Sequence, residues 1–163
     1  MTSASDTHPA AEYSACPTDV VEAPLEVVWG LLTDPARWGE FFDVRITGVE
    51  PAGPAHVGQR FRGESGPRVL HLVVRFAYTR VDTAPHRLGM DIQLPFGITV
   101  REDLDVVPLG AARCRVNYHC HFGFPPGWRG RVARVLLGRE LDAGPADSLA
   151  RLKSAAERRA AAA

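Results

Sequence analysis

The sequence predicts an α+β fold, a seven-stranded antiparallel sheet gathered around one long C-terminal helix. Three observations predict it. A short strand-like segment is followed at once by two short helical ones. Six further strand-like segments then succeed one another with breaks too short for parallel crossovers. After Pro125-Pro126 the hydrophobic period changes from two to that of a helix and stays there to the end.

Taken in order, residues 1–11 are small and polar and read as a disordered tail, and residues 12–160 as one domain. Residues 12–22 alternate loosely and form the first expected strand. Pro24 suits a helix start, where a missing N–H is harmless, and Leu25, Val28, Trp29 and Leu32 fall at i, i+3, i+4, i+7. Asp34-Pro35 ends that helix, and PARWGEFF makes a second. Strands are expected at 43–50, 57–64, 68–81, 86–94, 97–107 and 112–122, parted by PAGPAH, SGP, DTAP, PFG and PLGAA. Residues 127–160 read as a helix carrying Trp128, Val132, Val135, Leu136, Leu149 and Leu152, with a kink or break expected at Gly144-Pro145.

Composition narrows the partners. Nineteen basic and 19 acidic side chains cancel, which argues against a general nucleic-acid or anionic-membrane binder. Arginine supplies nearly all the basic charge, Lys153 being the only lysine, as in GC-rich bacterial genomes. Cys16, Cys114 and Cys120 form no CxxC and no secretory signal precedes them, so a reduced cytoplasmic setting is expected. No apolar run approaches the roughly 18 residues that span a bilayer. GxSxG, GxxxxGK[ST] and GxGxxG are all absent from the sequence.

The stretch VEAPLEVVWGLLTDPARWGEFF, with Ala23-Pro24, Val28-Trp29, Leu32, Asp34 and Trp38, resembles the START-like (SRPBCC, helix-grip) superfamily, and within it the polyketide cyclase/dehydratase branch. GQRFRG at 58–63 and the closing DSLARLKSAAE extend the likeness over about 12–160. The resemblance implies an internal hydrophobic cavity between sheet and helix. It implies a hydrophobic small molecule, polyketide-like or lipid, as partner. It also implies that a catalytic member would need no metal or organic cofactor. A monomer or homodimer fits it, and so does a carrier without chemistry; fold alone does not choose.

Strand alternation assigns the faces. Leu70, Leu72, Val74, Phe76 and Tyr78 share one face, as do Leu88, Met90, Ile92 and Leu94. Cys114, Val116, Tyr118, Cys120 and Phe122 oppose Arg113, Arg115, Asn117, His119 and His121. Ile98, Val100, Leu104 and Val106 point inward while Thr99, Arg101, Asp103 and Asp105 point out. Glu102 has the inward parity. A carboxyl on an apolar face is either raised in pKa and suited to acid/base work, or it sits at a wet mouth, pairs with an arginine, or is turned outward by a bulge. Tyr78 and Tyr118 offer inward hydroxyls that either orient a ligand oxygen or are bonded within the core. Trp38, Phe61, Phe76, Met90, Ile92, Cys120, Phe122 and Trp128 are the expected apolar wall. His119-Cys120-His121 is rejected as a metal site, because alternation sends the cysteine to the face opposite the histidines.

Overall fold

The computed structural model describes residues 12–66 and 72–163, and the expected tail together with Leu70 and His71 lies outside the described residues. The strands are β1 (Glu12–Ala15), β2 (Thr18–Val21), β3 (Arg45–Glu50), β4 (Arg60–Ser65), β5 (Leu72–Thr83), β6 (His86–Gln93), β7 (Thr99–Gly110) and β8 (Arg113–Gly123). Helices α1 (Leu25–Leu32) and α2 (Trp128–Ala162) flank them. They make one antiparallel sheet in the order β1-β8-β7-β6-β5-β4-β3, with β2 also paired to β8. The expected first strand is thus two short ones. Cys16-Pro17 interrupts it, because proline has no N–H for a ladder. The Pro17 carbonyl still accepts from the Tyr118 N–H at 3.0 Å, so β8 remains bonded across the gap.

Two expectations about the helices change. PARWGEFF is a 3₁₀ turn over Pro35–Glu40, begun by the Asp34 carboxylate, which accepts from the Ala36 N–H at 3.2 Å. Helix α2 runs 35 residues with no break at Pro145. Proline there brings no N–H for the Leu141 carbonyl, yet the turns on both sides hold the helix together.

The C-terminal half of α2 is welded to the fold. Leu149, Leu152, Ala155 and Ala156 are buried. Lys153 pairs with Asp19 of β2 at 3.0 Å, and Glu157 accepts the Glu22 N–H at 3.0 Å. The N-terminal half turns a different stripe inward. Ala133 is buried, and Leu137 and Leu141 pack on the core, whereas Val132, Val135 and Leu136 are exposed.

One end of the concave sheet face is filled by aromatic rings. Trp38 has Phe41, Phe42, Phe61, Phe76 and Tyr78 around it at centroid distances of 5.1 to 6.3 Å, and Phe61 stacks on Phe76 at 4.5 Å. The α1 stripe buries Leu25, Val28, Leu31 and Leu32, while Trp29 stays half-buried, edge-on to His86. As the last residue of α1, Leu32 leaves its carbonyl without an intrahelical donor, since Ala36 bonds to Asp34 instead. Trp38 Nε1 donates to that carbonyl at 3.1 Å and the Tyr78 hydroxyl at 3.0 Å. Tyr78→Phe should therefore destabilise the fold by about 1 kcal/mol, the net worth of one buried hydrogen bond. Urea denaturation would measure it, and an unchanged midpoint would show that the Trp38 donor alone satisfies Leu32.

Candidate functional site

Beyond the aromatic end, sheet and helix do not meet, and a cavity of about 480 Å³ lies between them. Its size falls in the usual range of small-molecule pockets, roughly 300–1,000 Å³. The walls are short. Val74, Ile92 and Val100 rise from the sheet, and Ala143, Gly144 and Pro145 descend from α2, with Phe42, Leu94, Phe122 and Leu141 closing the sides. Its polar rim carries Asp43, Arg139, Asp147 and Arg151, of which Arg151 and Asp43 approach to 4.0 Å.

Alternation places Glu102 as expected. It is 3% exposed and lines the cavity from the middle of β7, opposite Met90 of β6 and Cys120 of β8. The β7 register shift lies between Pro108 and Gly110, well away from it. Glu102 Oε1 has the Cys120 thiol at 3.9 Å; Oε2 has no hydrogen-bond partner among the described residues. Burial pushes its pKa from the ordinary 4.5 up to about 7; the Tyr118 hydroxyl and Cys120 thiol favour the charged form but do not offset burial. Burial, and next the adjacent Glu102 charge, raise the Tyr118 hydroxyl well above its ordinary value. Burial also raises the Cys120 thiol, so it is a protonated filler. The result is a carboxyl poised near neutrality beside a phenol that stays protonated, an acid/base group next to a fixed donor.

Of the expected site residues, Glu102, Tyr118, Ile92 and Phe122 line the cavity, and Cys120 backs Glu102. Tyr78 does not join them, because its hydroxyl is committed to Leu32 among the packed rings. Trp38, Phe61 and Phe76 belong to the same packed end. The void there, beside Trp38 and Leu152, measures about 10 Å³, at the limit for a single water. Met90 is fully buried beside Glu102 but outside the lining. Trp128 is corrected outright: it is 71% exposed and contributes no wall. Among the described residues the other buried polar side chain is Gln59, which donates to the Pro51 and Gly53 carbonyls at 2.7 and 3.0 Å while its Oε1 has no partner there and lies away from the cavity lining.

Sequence reasoning missed the helical roof. In the sequence Gly144-Pro145 suggests a kink or break, yet small residues in a helix interior are also a sign of a close approach or a space. On β8, Cys120 faces inward toward Glu102, whereas His121 faces out and its Nδ1 lies 2.8 Å from the Ser14 hydroxyl. No helix among the described residues is long and apolar enough to cross a membrane.

The zhuI aromatase/cyclase from Streptomyces sp. R1128 superposes with a TM-score of 0.73 at 18% identity, over 91% of this chain and 96% of that one. Norcoclaurine synthase from Thalictrum flavum gives 0.63 at 14% identity, over 89% and 86%. A protein from Thermobifida fusca gives 0.59 at 25% identity, over 84% and 90%. These likenesses show the helix-grip fold. A search of curated protein sequences returns no match. A family profile described as polyketide cyclase / dehydrase and lipid transport matches residues 17–157, which is most of the chain. With sheet, gripping helix and cavity in place, the chain belongs to the polyketide cyclase/dehydrase and lipid-transport family.

Proposed function

We propose that the cavity takes up a largely apolar molecule bearing a carbonyl, and that Glu102 exchanges protons with it. The observation that carries this is Glu102 Oε2, a buried carboxyl oxygen lining the cavity with no partner of its own. Such an atom is costly unless a ligand supplies the missing contact. The ionised carboxylate would remove a proton next to the carbonyl, and the Tyr118 hydroxyl would hydrogen-bond the enolate oxygen that forms. After the enolate closes a ring on a second carbonyl, the protonated Glu102 would return its proton to the resulting alkoxide, giving a hydroxyl. In a following dehydration Glu102 would take a second proton from the carbon beside the carbonyl and pass it to that hydroxyl, which leaves as water. The walls would hold a flexible chain in the one shape that closes. The family's description and the aromatase/cyclase among the similar structures support this class of reaction.

A carrier reading has its own observation. Away from the charged rim, the lining is apolar apart from Glu102, Tyr118, Ser65 and Ser148, so few groups would orient a reacting chain. Native mass spectrometry of the purified protein separates the readings: a bound polyketide-like or aromatic metabolite favours the enzyme, and a mixture of fatty acids or phospholipids the carrier.

Glu102→Gln should lower turnover of a poly-β-ketone substrate by about 100-fold or more, the usual worth of a positioned acid/base group. Product formation equal to wild type would remove Glu102 from the mechanism. The wild-type rate should rise with pH as Glu102 ionises, with a midpoint near 7, and that limb should vanish in the variant.

Stability gives an independent readout. The folded pKa lies above the unfolded one, so between about pH 4.5 and 7 the native state binds more protons than the unfolded state, and stability falls as pH rises. Wild type should lose about 2–3 kcal/mol relative to Glu102→Gln between pH 5 and pH 8. Parallel urea midpoints across that range would show that Glu102 is ionised and solvated throughout.

A further inference from the structure

The N-terminal half of α2 is apolar on two opposite sides. One side, Ala133, Leu137 and Leu141, packs on the core. The other carries Trp128, Val132, Val135 and Leu136, at i, i+4, i+7 and i+8, facing solvent; Val135 is 83% and Leu136 70% exposed. A surface helix ordinarily has one apolar stripe, and a second one lacks its partner. Arg129 and Arg131, both exposed, flank the outer stripe, exposed Arg139 continues its line, and no acidic residue occurs from Phe124 to Arg139. The zero net charge of the whole chain therefore conceals a locally basic surface.

A second element adds to the patch. Between β6 and β7, Phe96 is held at φ 65° with 67% of its surface exposed. A bulky side chain in the left-handed region is strained, so the backbone is holding the ring outward against its preference. The next residue, Gly97, lies against Pro125, with a built Cβ coming to 3.8 Å of the proline ring, and Gly130 of α2 is pressed on the Pro125 carbonyl from the other side. Phe96 thus stands one residue from a glycine that abuts Pro125, three residues ahead of Trp128 and the start of α2. Leu94 and Phe122, a few residues away on either strand, line the cavity.

We propose that this surface docks reversibly on an anionic lipid bilayer, with the outer stripe of α2 and Phe96 entering the interface and the arginines meeting lipid phosphates. An apolar stripe edged by arginine, with an aromatic at its end, has the composition of an interfacial helix. The charges complement anionic headgroups, whereas a two-fold contact between copies of this chain would set the arginines of one among those of the other. Docking would bring the roof of the cavity to the bilayer surface, where apolar molecules partition. The inference stands whether or not Glu102 is catalytic.

Co-sedimentation with vesicles tests it, using phosphatidylcholine alone and equal parts phosphatidylcholine and phosphatidylglycerol. Binding is expected to the mixed vesicles only, and should fall in high salt. Arg131→Gln should weaken it about fivefold, and Val135→Asp roughly tenfold. Circular dichroism of both variants should match wild type, since the changed side chains are exposed. Absence of binding to either vesicle, equal binding to both, or unaltered binding by Val135→Asp would overturn the proposal. A concentration-dependent dimer in sedimentation velocity, dissociated by Val135→Asp with no vesicle binding, would assign the patch to a second copy of the chain and overturn it as well.

Discussion

Everything in this fold is hung on one carbonyl. Leu32 ends α1 with an oxygen that its own helix cannot use, and two aromatic side chains, Trp38 and Tyr78, bring donors to it from the following turn and from β5. A buried carbonyl left bare would cost more than either bond contributes, so both rings are held in place. Once Trp38 is fixed, the remaining aromatics close around it and one end of the concave sheet is packed solid. The other end is left to Val74, Ile92 and Val100, which are too short to reach a helix whose facing residues are Ala143 and Gly144. The cavity is what remains when bulk is concentrated at one end and withheld from the other.

That hollow has an energetic counterpart at Glu102. A carboxyl surrounded by Met90, Cys120 and Tyr118 can be neutral cheaply or charged expensively, and near neutral pH it stands between the two. Apolar residues at that position would make a more stable protein. Retaining an acid there is the kind of local conflict with stability that sites of binding and chemistry carry.

How much of this could be read in the sequence depended on the periodicity involved. Strand alternation is rigid, and it put Glu102, Tyr118, Ile92 and Phe122 on the inner face correctly. The same rule put Tyr78 on that face, where it is, but could not say that its end of the face is filled and its hydroxyl engaged by Leu32. Parity fixes a side and says nothing about depth along the sheet. Helical periodicity failed differently. Trp128, Val132, Val135 and Leu136 form a good stripe, and so do Ala133, Leu137 and Leu141, so pattern alone could not tell which faced the core. Pro145 does not break the helix, because packing on both sides outweighs the one bond that proline removes. Cys16-Pro17 split the first strand for a reason the sequence did contain, the missing N–H.

Pro145 also divides α2 by function as well as by chemistry. The turns after it lock onto β2 and the 3₁₀ turn through Leu149, Leu152, Lys153 and Arg159, so they carry the fold. The turns before it roof the cavity, present the outer stripe and, among the described residues, reach the core only through Ala133, Leu137 and Leu141. Substitutions in the two halves are therefore nearly decoupled. A lineage can reshape the roof of the cavity while the clasp that keeps the chain folded stays untouched. A helix that reads as one continuous element is, for purposes of descent, two independently variable parts joined at a proline.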